Sequence, residues 1–182
     1  MHTKNTVAWL FTLALVALTN NVLAFGDSLA DIHTNITERY NIEHINNNQL
    51  NQLPSQDIVV FDVRKPSEFH VSHITNAIRV DPTIKPAEFM AQFGEKLEGK
   101  TAIFYCSVGR RSSALLSKIN HLLPDSGVIN AYNLEGGLFR RHNENNDLVR
   151  DSESTRQIHP YNYYWGRLIE DRKSIQYSVD KY

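Results

Sequence analysis

Along the chain, short, mostly apolar runs alternate with stretches in which apolar residues return every three or four positions. The runs are Ile58-Val-Val-Phe-Asp-Val63, Ala77 to Val80, Thr101 to Tyr105 and Val128 to Asn133. Runs of that length without polar alternation predict strands covered on both faces. Residues 42–45 add a candidate edge strand. Asn46 to Leu53 fits one short helix with Leu50 and Leu53 inward and Pro54 as its stop. Pro86 suits the first turn of a second helix, with Ala87, Met90, Phe93 and Leu97 on one face and Gly99 ending it. From Ser112, the spacing of Leu115, Ile119 and Leu122 predicts a third helix. Pro124, Asp125 and Gly127 mark a turn, and Glu135-Gly136-Gly137 leads into a last helix. Strands alternating with helices predict an α/β fold, a parallel sheet with helices on both faces in which the Ile58 run is a central strand.

The two ends read differently. Lys4, the apolar run Val7 to Leu18 and the small-residue pattern Val22-Leu23-Ala24 fit a cleaved secretory signal over residues 1–24. The twelve-residue run is too short for a bilayer core, which takes about twenty residues, so no stable membrane span is expected. A periplasmic or secreted protein follows from that leader. Residues 25–40 read as a polar lead-in segment. At the other end, residues 151–157 read as a polar linker, followed by His159-Pro-Tyr-Asn-Tyr-Tyr-Trp165-Gly-Arg-Leu-Ile169. That aromatic density predicts an arm over residues 151–182 packed onto the domain, with a partner or dimer surface as the alternative.

With 182 residues and a formal charge of -1, the chain has no basic stripe, so nucleic acid is not an expected partner. Its single cysteine excludes an internal disulfide framework and supplies no second thiol. His70 and His73 are read as structural or surface residues rather than metal ligands, and neither metal nor cofactor is expected. Asp62, near the end of a buried strand, needs a partner; Asp62 and Arg64 are read as structural supports, with Arg64 paired to Glu68.

The chemistry points to Cys106. It closes a buried strand, Gly109 lets the chain turn, and a helix follows. A thiol before a helix N-terminus faces unpaired N–H groups, which lowers its pKa from about 8.5. Arg110 and Arg111 add positive charge suited to an anionic substrate. A cysteine at a strand end is more commonly an inert core residue, but an inert core does not require a polar, doubly basic loop.

Cys106-Ser-Val-Gly-Arg-Arg-Ser112 resembles the active-site loop of the rhodanese (sulfurtransferase) family. Asp62-Val-Arg64, Glu68-Phe69, Ser72-His-Ile-Thr-Asn-Ala-Ile78 and Asn133-Leu-Glu-Gly-Gly137 follow in the family's order, and the resemblance spans about residues 41–150. It implies a rhodanese-like sheet and sulfane sulfur carried as a persulfide on Cys106. Thiosulfate or a similar small anion would be the donor; a thiol, cyanide or a protein would accept. Backbone amides of Ser107, Val108, Gly109, Arg110 and Arg111 would cradle the sulfur, one arginine would hold the donor, and Gly136 and Gly137 would flank the cleft. Ser72 and Asn76 stand where the family usually has glycine, and Arg141 where it usually has tryptophan. Two alternatives remain at this point. A persulfide carrier with little turnover is one. A cysteine phosphatase or arsenate reductase is the other, although only four residues separate Cys106 from Arg111 where those families place five.

Overall fold

The computed structural model describes residues 28–178, so the leader read at residues 1–24 lies outside the described residues. The first element is a helix, α1 (Leu29–Arg39). Ser28 and Asp31 cap it reciprocally, each side chain accepting from the other's backbone N–H at 3.1 and 3.0 Å. Ile32 and Ile36, one turn apart, are buried in the core. The lead-in segment is thus part of the packed body.

Five parallel strands form the sheet, β1 (Glu43–Ile45), β2 (Ile58–Asp62), β3 (Ile78–Arg79), β4 (Thr101–Tyr105) and β5 (Asn130–Leu134), in the order β1-β5-β4-β2-β3. The middle strand is therefore β4, and the Ile58 run, expected as a central parallel strand, is an interior strand beside it, paired with β4 and β3. Both runs are equally apolar, and apolarity does not name a strand's neighbours. Along β4 the side chains alternate between two cores. Ala102 and Phe104 join Phe61, Phe89 and Leu116 on one face, while Ile103 and Tyr105 join Ile36, Leu138, Phe139 and Ile158 on the other.

The connecting helices are α2 (Asn47–Gln52), α3 (Pro66–Val71), α4 (Pro86–Phe93), α5 (Arg110–Ile119) and α6 (Gly137–Asn143). In α4 the buried stripe is displaced from the expected one. Phe89 and Leu97 are fully buried, Met90 and Phe93 half-buried, and Ala87 exposed. Phe89 meets Phe61, Phe93 and Phe104 with ring centroids 5.2, 5.2 and 5.7 Å apart, and its loss would cost about 3–5 kcal/mol. Asn76 carries the left-handed backbone (φ 60) that a glycine would favour and asparagine tolerates. Ser72 is extended (φ -170) and needs no glycine.

Past α6, β6 (Leu148–Arg150) and β7 (Glu153–Thr155) form an antiparallel hairpin where a linker was expected. Asp151 and Ser152 both turn with positive φ, as a two-residue hairpin requires. The aromatic arm then crosses the domain through the short helix α7 (Tyr163–Gly166). Ile158 and Ile169 are sunk in the core, and Asn143 of α6 donates to the Leu168 carbonyl at 2.8 Å. Among the described residues no helix is long and apolar enough to cross a membrane.

Candidate active site

The connection leaving β2 runs to β3 on one side, whereas the connection leaving β4 runs to β5 on the other. Between strands that part in this way a crevice opens at their carboxyl ends, where ligands bind in open α/β sheets. Cys106 follows β4 at that place, and Asp62 ends β2 beside it.

Gly109 makes the turn after Cys106 with φ 92, and α5 starts at Arg110, two residues earlier than the Leu115 spacing suggested. Cys106 is 1% exposed. Burial pushes its thiol pKa up; the Arg111 guanidinium and the backbone N–H groups of Ser112, Val108 and Arg111 outweigh that and hold it below the ordinary value. The α6 N-terminus latches the loop from behind, with Leu138 and Phe139 N–H donating to the carbonyls of Cys106 and Ser107 at 2.9 and 3.0 Å. Gly137 lies so close that a Cβ there would collide with the Cys106 carbonyl oxygen, and one on Gly136 would strike the Arg140 side chain.

Arg111 grips Glu68 with both terminal nitrogens, at 2.8 and 2.7 Å, and Ser107 Oγ donates to the same carboxylate at 2.9 Å. Burial raises the Glu68 pKa, but the Arg111 hydrogen bonds and charge override it and bring it to about 2. Glu68 is thus the partner of Arg111, not of Arg64. Arg64 pairs with Asp62 at 2.6 Å and donates to the Ser72 carbonyl at 2.6 Å, because positions two apart at a strand end project to the same side. Tyr105 Oη completes that group by donating to Asp62 at 2.6 Å. Arg110 is exposed and free of the Glu68 pair.

The arm roofs the cysteine. A cleft of about 190 Å³ is bounded by Cys106, Ser107, Val108, Arg110, Arg111, Tyr161 and Trp165. The Tyr161 ring lies 5.0 Å from the Arg111 guanidinium, and Arg110 lies 5.9 Å from the Trp165 ring. Tyr161 is held in left-handed backbone (φ 66), rare for a bulky residue, by its N–H donating to His159 Nδ1 at 2.9 Å. Burial pushes the His159 imidazole pKa down, which keeps that nitrogen an acceptor.

The structure thus brings Cys106, Ser107, Val108, Arg110 and Arg111 to one cleft, with Asp62, Arg64, Gly136 and Gly137 supporting it from outside. Arg141 stands apart. It bonds Asn51 of α2 at 3.1 Å and the Asp147 carbonyl at 3.1 Å, and so serves as a strut rather than a cleft wall. His73 stacks on Phe69 at 3.9 Å and pairs its backbone with Val149. No group of three His, Cys, Asp or Glu residues is placed to hold a metal among the described residues. Sequence reasoning passed over Glu68, Tyr161 and Trp165 as site residues; the aromatic crowding of the arm was the available signal for the last two.

A sequence profile described as the rhodanese-like domain matches residues 46–143. An uncharacterized protein of Synechocystis is 37% identical over 96 residues, covering 50% of this chain and 46% of that one. A tRNA uridine(34) hydroxylase of Aster yellows witches'-broom phytoplasma is 27% identical over 110 residues, covering 57% of this chain and 34% of that protein. The chain spans less than half the length of the curated relatives it matches. Among solved structures, a rhodanese-related protein of Thermoplasma volcanium is 26% identical with a TM-score of 0.45, covering 59% of this chain and 97% of that one. A human single-domain sulfurtransferase is 25% identical with a TM-score of 0.40, covering 52% and 89%.

Proposed function

The chain belongs to the rhodanese-like domain family, and on that footing we propose that it is a sulfurtransferase that carries sulfane sulfur on Cys106. The Cys106 thiolate attacks the outer sulfur of thiosulfate or a similar donor, a new S–S bond forms, and sulfite leaves with the electron pair of the broken bond. A thiolate or cyanide then attacks the outer sulfur of the persulfide and returns the electron pair to Cys106 Sγ. The amides of Val108, Arg111 and Ser112 face the sulfur throughout, as donors in an oxyanion hole face a developing charge. Arg111 is committed to Glu68, which leaves Arg110 to meet the donor's sulfonate.

The observation that carries this reading is the placement of Cys106 between the end of β4 and the start of α5, in a cleft shared with Arg110 and Arg111; the Arg111 charge and neighbouring N–H groups hold its pKa below the ordinary value despite burial. An inert core cysteine has no such surroundings. Mass spectrometry after thiosulfate treatment should find one added sulfur on Cys106 and none in Cys106→Ser; loading of the serine variant would refute the proposal. A persulfide carrier that hands its sulfur to a partner is the rival reading. Stoichiometric loading with negligible turnover on small acceptors would select it.

A tRNA substrate is not part of the proposal, since the matched relatives share only about a third of their length with this chain and its formal charge is -1. Export to a periplasm or the exterior belongs to the proposal through the leader, and cell fractionation tests it.

A further inference from the structure

Helix α1 lies outside the matched span of residues 46–143, yet it is packed onto the cysteine loop. A Cβ on Gly109 would sit 3.4 Å from Ile36 Cδ1. Between α1 and that loop lies a second cavity of about 430 Å³, lined by Ile32, Asn35, Ile36, Arg39, Tyr40 and Arg110. Arg110 lines both this cavity and the cleft over Cys106. No carboxylate lines the cavity, and the ion pairs found among the described residues involve neither Arg39 nor Arg110. Two permanently charged arginines with no ion-pair partner among the described residues therefore line one concave space.

We propose that α1 builds a binding site here for the carboxylate-bearing body of a low-molecular-weight thiol that accepts sulfur from Cys106. The proposal rests on the sulfur-transfer reading. Guanidinium groups bind carboxylates through paired, charge-assisted hydrogen bonds, which suits Arg39 and Arg110 to that end of the molecule. Asn35 offers both a donor and an acceptor, and Ile32, Ile36 and Tyr40 supply apolar floor for the intervening carbons. The sizes fit one ligand laid across both spaces. The cleft of about 190 Å³ under Tyr161 and Trp165 admits a thin sulfur-bearing chain, while the larger cavity holds the body. A folded protein acceptor would have to displace that roof, so the geometry favours the small molecule. The step is balanced as written: the acceptor thiolate bonds to the outer persulfide sulfur, the S–S bond to Cys106 breaks, and its electron pair stays on Cys106 Sγ.

The test begins by loading the wild-type chain with thiosulfate and weighing it, which reads the sulfur-transfer proposal alone. Transfer to glutathione, which carries carboxylates, is then compared with transfer to neutral 2-mercaptoethanol. Arg39→Ala should raise KM for glutathione about fivefold, the scale of one exposed charge-assisted contact, and leave KM for 2-mercaptoethanol unchanged. Arg39→Gln, which keeps a polar side chain but removes the charge, should behave alike, and Arg39→Lys should recover part of the loss. S-methylglutathione, which has no thiol, should shield Cys106 from iodoacetamide in the wild type but not in Arg39→Ala. This shielding decides on the site even where no sulfur is loaded. Equal changes for both thiols, no change for either, or absence of shielding would overturn the proposal.

Discussion

Asp62–Arg64 and Glu68–Arg111 are both carboxylate–guanidinium pairs beside the carboxyl end of β4, with closest contacts of 2.6 and 2.7 Å. Their surroundings differ. Both side chains of the first pair are wholly buried, whereas Arg111 keeps 25% of its side chain exposed above a Glu68 that keeps 1%. The first pair joins residues two apart and is enclosed by Tyr105 and the Ser72 carbonyl. The second joins residues 43 apart and turns its guanidinium toward Cys106 and the cleft. The same two functional groups thus brace the scaffold where they are dry and tune a thiol where one edge stays open. Burying an ion pair is not in itself a strong stabiliser, but removing one partner is costly.

That contrast can be broken experimentally. The largest effect is expected from Asp62→Asn, which strands the Arg64 charge in the interior and should cost about 3–5 kcal/mol in denaturant unfolding. The pH midpoint for iodoacetamide reaction at Cys106 should stay in place. Arg111→Gln should do the reverse, with a smaller stability loss and a raised midpoint, because the cation favouring the thiolate is gone. A midpoint that moves in Asp62→Asn and not in Arg111→Gln would invert the assignment.

Acid sharpens the comparison further. Glu68 is held at about 2 against an ordinary 4.5, so its contribution to stability is complete above pH 4.5 and is lost as pH falls from 4.5 toward 2. Glu68→Gln should flatten that part of the stability curve. The smallest effect belongs to the roof. Trp165 is half-buried, so Trp165→Ala should cost on the order of 1 kcal/mol while speeding alkylation of Cys106.

Much of this was readable because it is local. The interior strands β2 and β4 are nearly continuous apolar runs, and the Cys106 loop and Gly136-Gly137 turn are short motifs whose geometry depends on adjacent residues. The Asp62–Arg64 neighbourhood was half legible: the need for a partner follows from burial, but Glu68 stood at an equally plausible spacing and was chosen wrongly. Helix α1 was missed although Ser28 and Asp31 have capping spacing and Ile32 and Ile36 lie one turn apart, because two apolar positions in a polar stretch make a weak period. Arg141 looked like a gap in the cleft wall, yet its partners Asn47 and Asn51 lie some ninety positions earlier. Pairings at that distance, like the arm laid over Cys106, are set by the folded whole and leave no periodic mark.

The packing of Ile32 and Ile36 has a practical side. Cutting the gene at the boundary of the matched domain, residue 46, would strip strand β1 and three buried isoleucines, Ile32, Ile36 and Ile45, from the main core and lay bare the oily surface they cover. Such a trimmed product should be sticky and poorly soluble, and shorter recombinant versions meant for assay or crystallisation should keep the chain from Ser28 onward.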